Sequence, residues 1–494
     1  MTILAEKPAP LSALAALEGH LIDGAIVPAA ASFPVLNPAT GKVIGQAARG
    51  NAGDVAAAVA AARRAQTGWA ALAARERGRL VAACATRLLE EKKSVARLLA
   101  METGKAIRTE SRPEVVTAAD ILSFYGGLGS ELKGETLPFR PDLLSVTTRE
   151  PLGVVGAILP WNVPLVLMML KIAPALVAGN SVVVKSAEEA PFATLEAGRL
   201  MAELLPPGVI NIVSGFGEDC GAALVAHPHV AKITFTGSQP VGEIIYGAAA
   251  ARIIPVTLEL GGKSPMIVMA DADLDHAIAG AVAGMRFTRQ GQSCTAASRI
   301  YVHADVYDRF VAGLEQAVRG LKMGDPLDEA TDIGTVISPE QKERIDAYIA
   351  MGLQTPGARA IECGMLPDDP SLDPALFALP ILFTGLPEDS PLMREEIFGP
   401  VAAITSWTDY EAVIAAANDS DFGLAASIWT NDLSAALDAT RRINAGYVQV
   451  NQNLTIQPNL SYGGFGKSGL GKEASLEAML EHFTRKKTIV FAAA

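Results

Sequence analysis

Three stretches carry side chains able to do acyl-transfer chemistry. Cys294 lies in Phe287-Thr288-Arg289-Gln290-Gly291-Gln292-Ser293-Cys294-Thr295-Ala296, among small and polar residues and shortly after a glycine that gives the backbone freedom. No cysteine stands at C-x-x-C spacing from it, so neither a disulfide nor a zinc site is indicated. A thiol in a polar loop can present a thiolate to an electrophile. Taken alone, a single cysteine is better read as a small packed residue. Glu259, in Thr257-Leu258-Glu259-Leu260-Gly261-Gly262-Lys263, puts a carboxylate at the end of an apolar strand beside a Gly-Gly turn. Asn162, in Pro160-Trp161-Asn162-Val163-Pro164, puts an amide in a rigid turn between apolar segments. Nucleophile, base and amide donor are the parts that acyl transfer needs.

Groups this far apart in sequence need a scaffold that brings them together. From Val154 onward the pattern alternates strand and helix. Strands are expected at 154–158, 181–185, 209–213, 232–236 and 255–259, with helices at 165–178, 190–204, 218–226 and 239–249 between them. Strands joined by helices are βαβ units and imply a parallel sheet of the Rossmann-like, dinucleotide-binding kind. After Gly262 a second α/β series begins, with strands expected at 265–269, 402–407, 425–430 and 447–451. Residues 1–20 read as a loose tail, and 36–42 as a turn between short strands. The segments 144–149 and 484–491 read as strands outside both series, with exposed edges able to pair with another chain.

Composition narrows the classes. A chain of 494 residues should hold two or three domains. The net charge of -12, without a long basic run, argues against nucleic acid and against an anionic membrane surface. The uncharged stretch 152–170 is about long enough to span a bilayer, but Pro160 and Pro164 interrupt it. Four scattered cysteines suit a reducing cytoplasm, and no signal peptide is visible. None of the six histidines falls in a motif, and no metal-ligand spacing is present.

Pro160-Trp161-Asn162, Leu258-Glu259-Leu260-Gly261-Gly262, Gly291-Gln292-Ser293-Cys294 and Glu395-Glu396-Ile397-Phe398-Gly399-Pro400 occur in that order. In these motifs, and over nearly its whole length, the chain resembles the aldehyde dehydrogenase superfamily. The resemblance implies an NAD-binding domain over 1–131 and 152–261, a catalytic domain over 262–470, and a small β oligomerisation arm over 132–151 and 471–494. It implies a homodimer or homotetramer acting on a small-molecule aldehyde. Cys294 would attack the carbonyl, Asn162 and the Cys294 backbone N–H would hold the oxyanion, and Glu259 would activate the water that hydrolyses the thioester.

The usual G-x-G-x-x-G is absent; Phe235-Thr236-Gly237-Ser238-Gln239 stands after a strand and before a helix whose N-terminus can meet a pyrophosphate. By resemblance, Lys185 and Glu188 hold the adenosine ribose, Trp161 and Leu260 flank the cofactor, and Glu396 and Phe398 position the nicotinamide ribose and ring. A carboxylate near the 2′ position disfavours the phosphate of NADP, so NAD is expected, with NADP as the alternative. Val163, Leu170, Thr288, Ser293, Thr295, Leu454, Ile456 and Tyr462 are expected around the substrate. Val163, Leu170 and Thr288 stand where the family is often bulkier, which points to a medium-to-large apolar or aromatic aldehyde. The lack of an arginine in 451–462 argues against succinate semialdehyde, although Arg289 lies close to the nucleophile. The lysine of Gly463-Gly464-Phe465-Gly466-Lys467 comes one residue later than is usual. A CoA-acylating semialdehyde dehydrogenase would lack Glu259, a cysteine hydrolase would need a placed histidine, and a non-catalytic member of the fold would not need all three reacting groups.

Overall fold

The computed structural model describes residues 17–453 and 456–492. Most of the tail expected over 1–20, and Leu454, lie outside the described residues. Five parallel strands form the centre of an eight-stranded sheet, in the order Ile210–Val213, Ser181–Lys185, Val154–Ile158, Val230–Thr236, Val256–Glu259. Val154–Ile158 and Ser181–Lys185 are buried at every residue, as strands covered on both faces must be. Antiparallel strands close the two edges. One is the pair His20–Ile22 and Ala25–Val27; the other is Gly469–Leu470, whose Gly469 stands opposite Glu259.

The chain order reverses on either side of Val154–Ile158, which opens a crevice at the C-terminal ends of the strands. That edge receives Trp161 and Asn162, then Lys185 and Glu188, then Gly237 and Ser238, and finally Glu259 and Leu260. The stretch 152–170 is split between the strand Val154–Ile158 and the helix Pro164–Val177, which begins at its proline. Among the described residues no helix is long and apolar enough to cross a membrane.

A second sheet has six parallel strands in the order Ile381–Thr384, Val401–Trp407, Arg299–His303, Pro265–Val268, Ala425–Trp429, Tyr447–Val450, with Arg359–Glu362 antiparallel at one edge. The strand Arg299–His303 was hidden in the sequence by a buried charge at its start. Arg299 donates to the carbonyls of Lys263 and Ala417, both at 2.9 Å, and so ties two elements together. A separate three-stranded ribbon pairs Thr136–Leu137, Leu143–Pro151 and Thr484–Ala492, all antiparallel. Leu144 and Phe491 stand opposite each other on it and are both exposed.

Candidate active site

The loop that carries Cys294 is built from backbone that turns sharply. The helix Leu274–Met285 stops at Arg286 with φ 58°, and Gln290 and Gly291 follow at 55° and 65°. Gly291 is needed twice over, because a Cβ there would also lie 2.0 Å from the Gly399 carbonyl oxygen. Gln292 anchors the loop by accepting from the Ile337 N–H at 3.1 Å. Cys294 emerges half-buried, at the junction of two cavities whose walls it shares.

Asn162 reaches the same junction. Its amide donates to the Gln292 carbonyl at 3.1 Å, two residues before the sulfur. A buried ion pair, Lys105 with Glu114, fixes this turn from behind. The Lys105 ammonium donates to the Asn162 carbonyl at 2.7 Å, and Glu114 accepts from the Leu165 N–H at 2.9 Å, at the start of the following helix. Among the described residues no acceptor is found for the Cys294 backbone N–H, which leaves it available to an oxyanion.

Glu259 is 3% exposed, and neither carboxylate oxygen has a hydrogen-bond partner among the described residues. It packs so closely on Gly463 that a Cβ there would lie 2.7 Å from Oε1. Burial, reinforced by the charge of Glu473, lifts its pKa well above the ordinary carboxylate range, against the pull of Lys171 and Lys472. Glu473 itself is paired with Lys171 at 2.7 Å. The Cys294 thiol is likewise pushed up to about 11, mainly by burial.

The first cavity, of about 220 Å³, is lined by Trp161, Asn162, Gly237, Ser238, Glu259, Leu260, Cys294, Glu396 and Phe398. It opens towards a larger cleft of about 790 Å³ with which it shares Ser238, Arg344 and Glu396. Among the described residues no side chain caps the helix Gln239–Arg252 behind Ser238, which leaves its first N–H groups able to meet an anion. Phe398 has φ 60°, a costly conformation for a bulky residue, and its ring stands edge-on to Trp161 at 5.4 Å. Two residues the sequence did not single out hold that segment in place. Gln341 donates to the Phe398 carbonyl at 2.9 Å, and Arg344 donates to the Glu396 carbonyl at 2.5 Å. Glu396 accepts from the Gly262 N–H at 3.0 Å, and burial raises its carboxyl to about 7. Lys185 and Glu188 form an ion pair at 2.5 Å, outside the walls of both cavities. These features fit a dinucleotide laid across the strand ends with its nicotinamide half beside Cys294.

The second cavity, of about 430 Å³, carries Val163, Thr288, Ser293, Thr295, Ile456 and Tyr462 in its wall. Leu170 does not reach it. Val166 and Leu167 take that side, while Leu170, a turn deeper along the helix, is 1% exposed in the core. Arg289 reaches the same wall already neutralised: it donates to Glu110 at 2.8 and 2.6 Å, and Thr288 donates to the same carboxylate at 2.5 Å. Sequence patterns gave no sign of Glu110, which lies 179 residues from its partner. The Tyr462 hydroxyl lies 3.4 Å from the Cys294 sulfur.

A sequence profile of the aldehyde dehydrogenase family matches residues 26–489. The chain is 39% identical over 473 residues to a betaine aldehyde dehydrogenase of Brucella melitensis, covering 95% of this chain and 96% of that one. Its fold superposes with a TM-score of 0.93 on a putative aldehyde dehydrogenase from Burkholderia cenocepacia, at 37% identity, covering 96% of this chain and 97% of the other. It also superposes with a TM-score of 0.94 on the NAD+ complex of an aldehyde dehydrogenase from Bacillus cereus, at 35% identity over the full length of both. The chain therefore belongs to the aldehyde dehydrogenase family, and its activity is NAD(P)-dependent oxidation of an aldehyde.

Proposed function

We propose that the chain oxidises a medium-to-large apolar or aromatic aldehyde to its carboxylic acid, with NAD preferred over NADP. One observation carries the reading: Cys294, Asn162 and Glu259 line a single cavity, and Cys294 and Asn162 also line a second, larger one. The sulfur is thus open to a cofactor from one side and to an aldehyde from the other. NAD, when bound, would supply the hydride acceptor. The Cys294 thiol loses its proton to solvent, the thiolate adds to the carbonyl carbon, and the Asn162 amide and the Cys294 N–H hold the oxygen as it gains charge. Loss of hydride from that carbon leaves a thioester on Cys294. Glu259 then takes a proton from water, whose oxygen attacks the thioester and displaces the sulfur as thiolate.

Lys185 and Glu188 take the adenosine ribose in this reading, Ser238 and its helix the pyrophosphate, and Glu396 the nicotinamide ribose. Residues 1–131 with 152–261 form the cofactor domain, 262–470 the catalytic domain, and the ribbon of 132–151 with 471–494 joins subunits into a homo-oligomer. The exposed apolar side chains of that ribbon support the last assignment.

The substrate class follows from the second cavity. Val163, Val166, Leu167 and Ile456 make it apolar, and Glu110 has already neutralised Arg289. A quaternary ammonium, as in betaine aldehyde, would want aromatic faces and no nearby cation. Here Arg286 shares the wall with Tyr447 and Tyr462, which argues against that substrate. The test is a panel of aromatic, long-chain, short-chain and betaine aldehydes with NAD or NADP, with and without CoA, read by cofactor fluorescence. Aromatic or long-chain aldehydes with NAD should give the highest kcat/KM, and C294A should be inactive on all of them. A preference for betaine aldehyde would overturn the substrate assignment, and turnover by C294A would overturn the mechanism.

A further inference from the structure

Tyr462, expected around the substrate, lines the second cavity and aims its hydroxyl at the reacting atom. The oxygen lies 3.4 Å from the Cys294 sulfur, and the side chain is 2% exposed. Among the described residues that sulfur is the hydroxyl's hydrogen-bond partner. The ring cannot easily turn away. Its backbone is clamped by a two-way bridge, Tyr462 N–H to the Glu473 carbonyl at 3.0 Å and Glu473 N–H to the Tyr462 carbonyl at 2.7 Å. Tyr447 packs against the ring edge-on at 5.7 Å.

We propose that the Tyr462 hydroxyl is a catalytic residue: it donates a hydrogen bond to the Cys294 sulfur whenever that sulfur is an anion, in the attacking thiolate and again in the thiolate leaving the thioester. This rests on Cys294 being the nucleophile. The direction of the bond follows from elementary chemistry. A thiolate can only accept, and a neutral phenol has one proton to give. Burial, with the charges of Cys294 and Glu259 next, makes the phenol harder to ionise, so the proton stays on Tyr462 throughout. The same hydrogen bond pulls the thiol down against burial. Other charges face the pair: Glu259, Glu396 and Glu473 disfavour anions here, while the guanidiniums of Arg286 and Arg289 favour the thiolate. The tyrosine differs from all of these because it acts by direct contact.

The test titrates the thiol. Alkylation of the full-length protein by iodoacetamide is followed against pH, with the modified cysteine located by mass spectrometry. Cys84, Cys220 and Cys363 are buried and should react far more slowly. Y462F keeps the ring and removes only the oxygen. Its alkylation midpoint should move up by about one pKa unit or more, the scale of a hydrogen bond to a charged group. The first turnover at neutral pH should slow about tenfold for the same reason, with NAD affinity unchanged. Y462L, which also removes the ring, should shift the midpoint as far and in addition change the KM for aldehyde. A wild-type midpoint in Y462F, or a shift confined to Y462L, would reduce Tyr462 to a packing residue and overturn the proposal. Turnover by C294A would overturn the nucleophile along with it, whereas an inactive C294A beside an unshifted Y462F would remove the tyrosine's role alone.

Discussion

Among the described residues four carboxylates line the two cavities that meet at Cys294, and the two in the larger cavity differ in kind from the two in the smaller one. Glu110 is gripped by Arg289 and Thr288, and Glu114 by Lys105 and the Leu165 N–H. Glu259 has no partner among the described residues, and Glu396 has the Gly262 N–H. The contrast shows in the acidities. Burial works to raise Glu110, but Arg289 and Thr288 outweigh it and hold the carboxyl below its ordinary value. Nothing comparable opposes burial at Glu259 or Glu396, and both are raised. A buried carboxylate with a full set of partners is scaffolding. One left without partners costs stability and is poised to pick up protons or hydroxyl groups that arrive with substrate and cofactor.

The sharpest way to break this comparison is to neutralise Glu259. E259Q removes the proposed base and should slow thioester hydrolysis about 10²–10⁴-fold, the usual scale for a general base. Acyl-enzyme should accumulate and be visible by mass spectrometry of the intact protein. The same variant should be more heat-stable than the wild type. A carboxyl with a raised native pKa contributes stability in full below its unfolded value near 4.5, and loses it as pH rises towards the native value. Glutamine suffers no such loss, so its advantage should widen as pH increases from 4.5. Normal turnover without trapped acyl-enzyme would remove Glu259 from the mechanism, and a wild-type melting profile would show that its lack of partners costs nothing.

Glu110 should give the opposite result. E110Q strands the Arg289 guanidinium in the cavity wall, and breaking a buried pair from one side costs about 3–5 kcal/mol. The loss should appear as a lower urea midpoint at neutral pH. It should shrink on acidification, because a carboxyl with a depressed pKa gives up its stabilisation as pH falls through the native value. If E110Q melted like the wild type, the ion pair would be incidental and the division between the two walls would fail.

The sequence made one of these walls far more readable than the other. Asn162, Glu259 and Cys294 each lie at the end of a strand or in a turn beside small residues, and local pattern exposes such positions. The parallel strands that carry the first two were equally plain, because burial on both faces leaves unbroken apolar runs such as Val154–Ile158. Glu110 and Glu114 lie on helices, and Lys105 in the short connection before them, amid ordinary charge patterns. Only the fold reveals that they point inward, since their partners are remote in sequence or on a neighbouring turn. Arg299 hid a strand for the same reason. Tyr462 was legible as an aromatic near the substrate, but the direction of its hydroxyl depends on a backbone bridge to Glu473 that no spacing announces. Leu170 shares a helical face with Val163 and Leu167; periodicity gives the face but not the depth at which the cavity ends.

The smallest expected effect concerns the carboxylate with a single partner. The Glu396 carboxyl is raised to about 7 by burial, against the pull of the Gly262 N–H and of Arg344. If it accepts hydroxyls of the nicotinamide ribose, only its charged form does so strongly. Protonation should therefore weaken NAD binding as pH falls from 8 to 6. A hydrogen bond to a charged group exceeds a neutral one by about 1 kcal/mol, so the dissociation constant should rise roughly fivefold. Calorimetric titration of NAD across this range checks the slope, and E396Q, which carries no titrating group, should bind weakly at every pH with the slope removed. An unchanged slope in E396Q would move the titration to another group and leave Glu259 alone on the open side of the comparison.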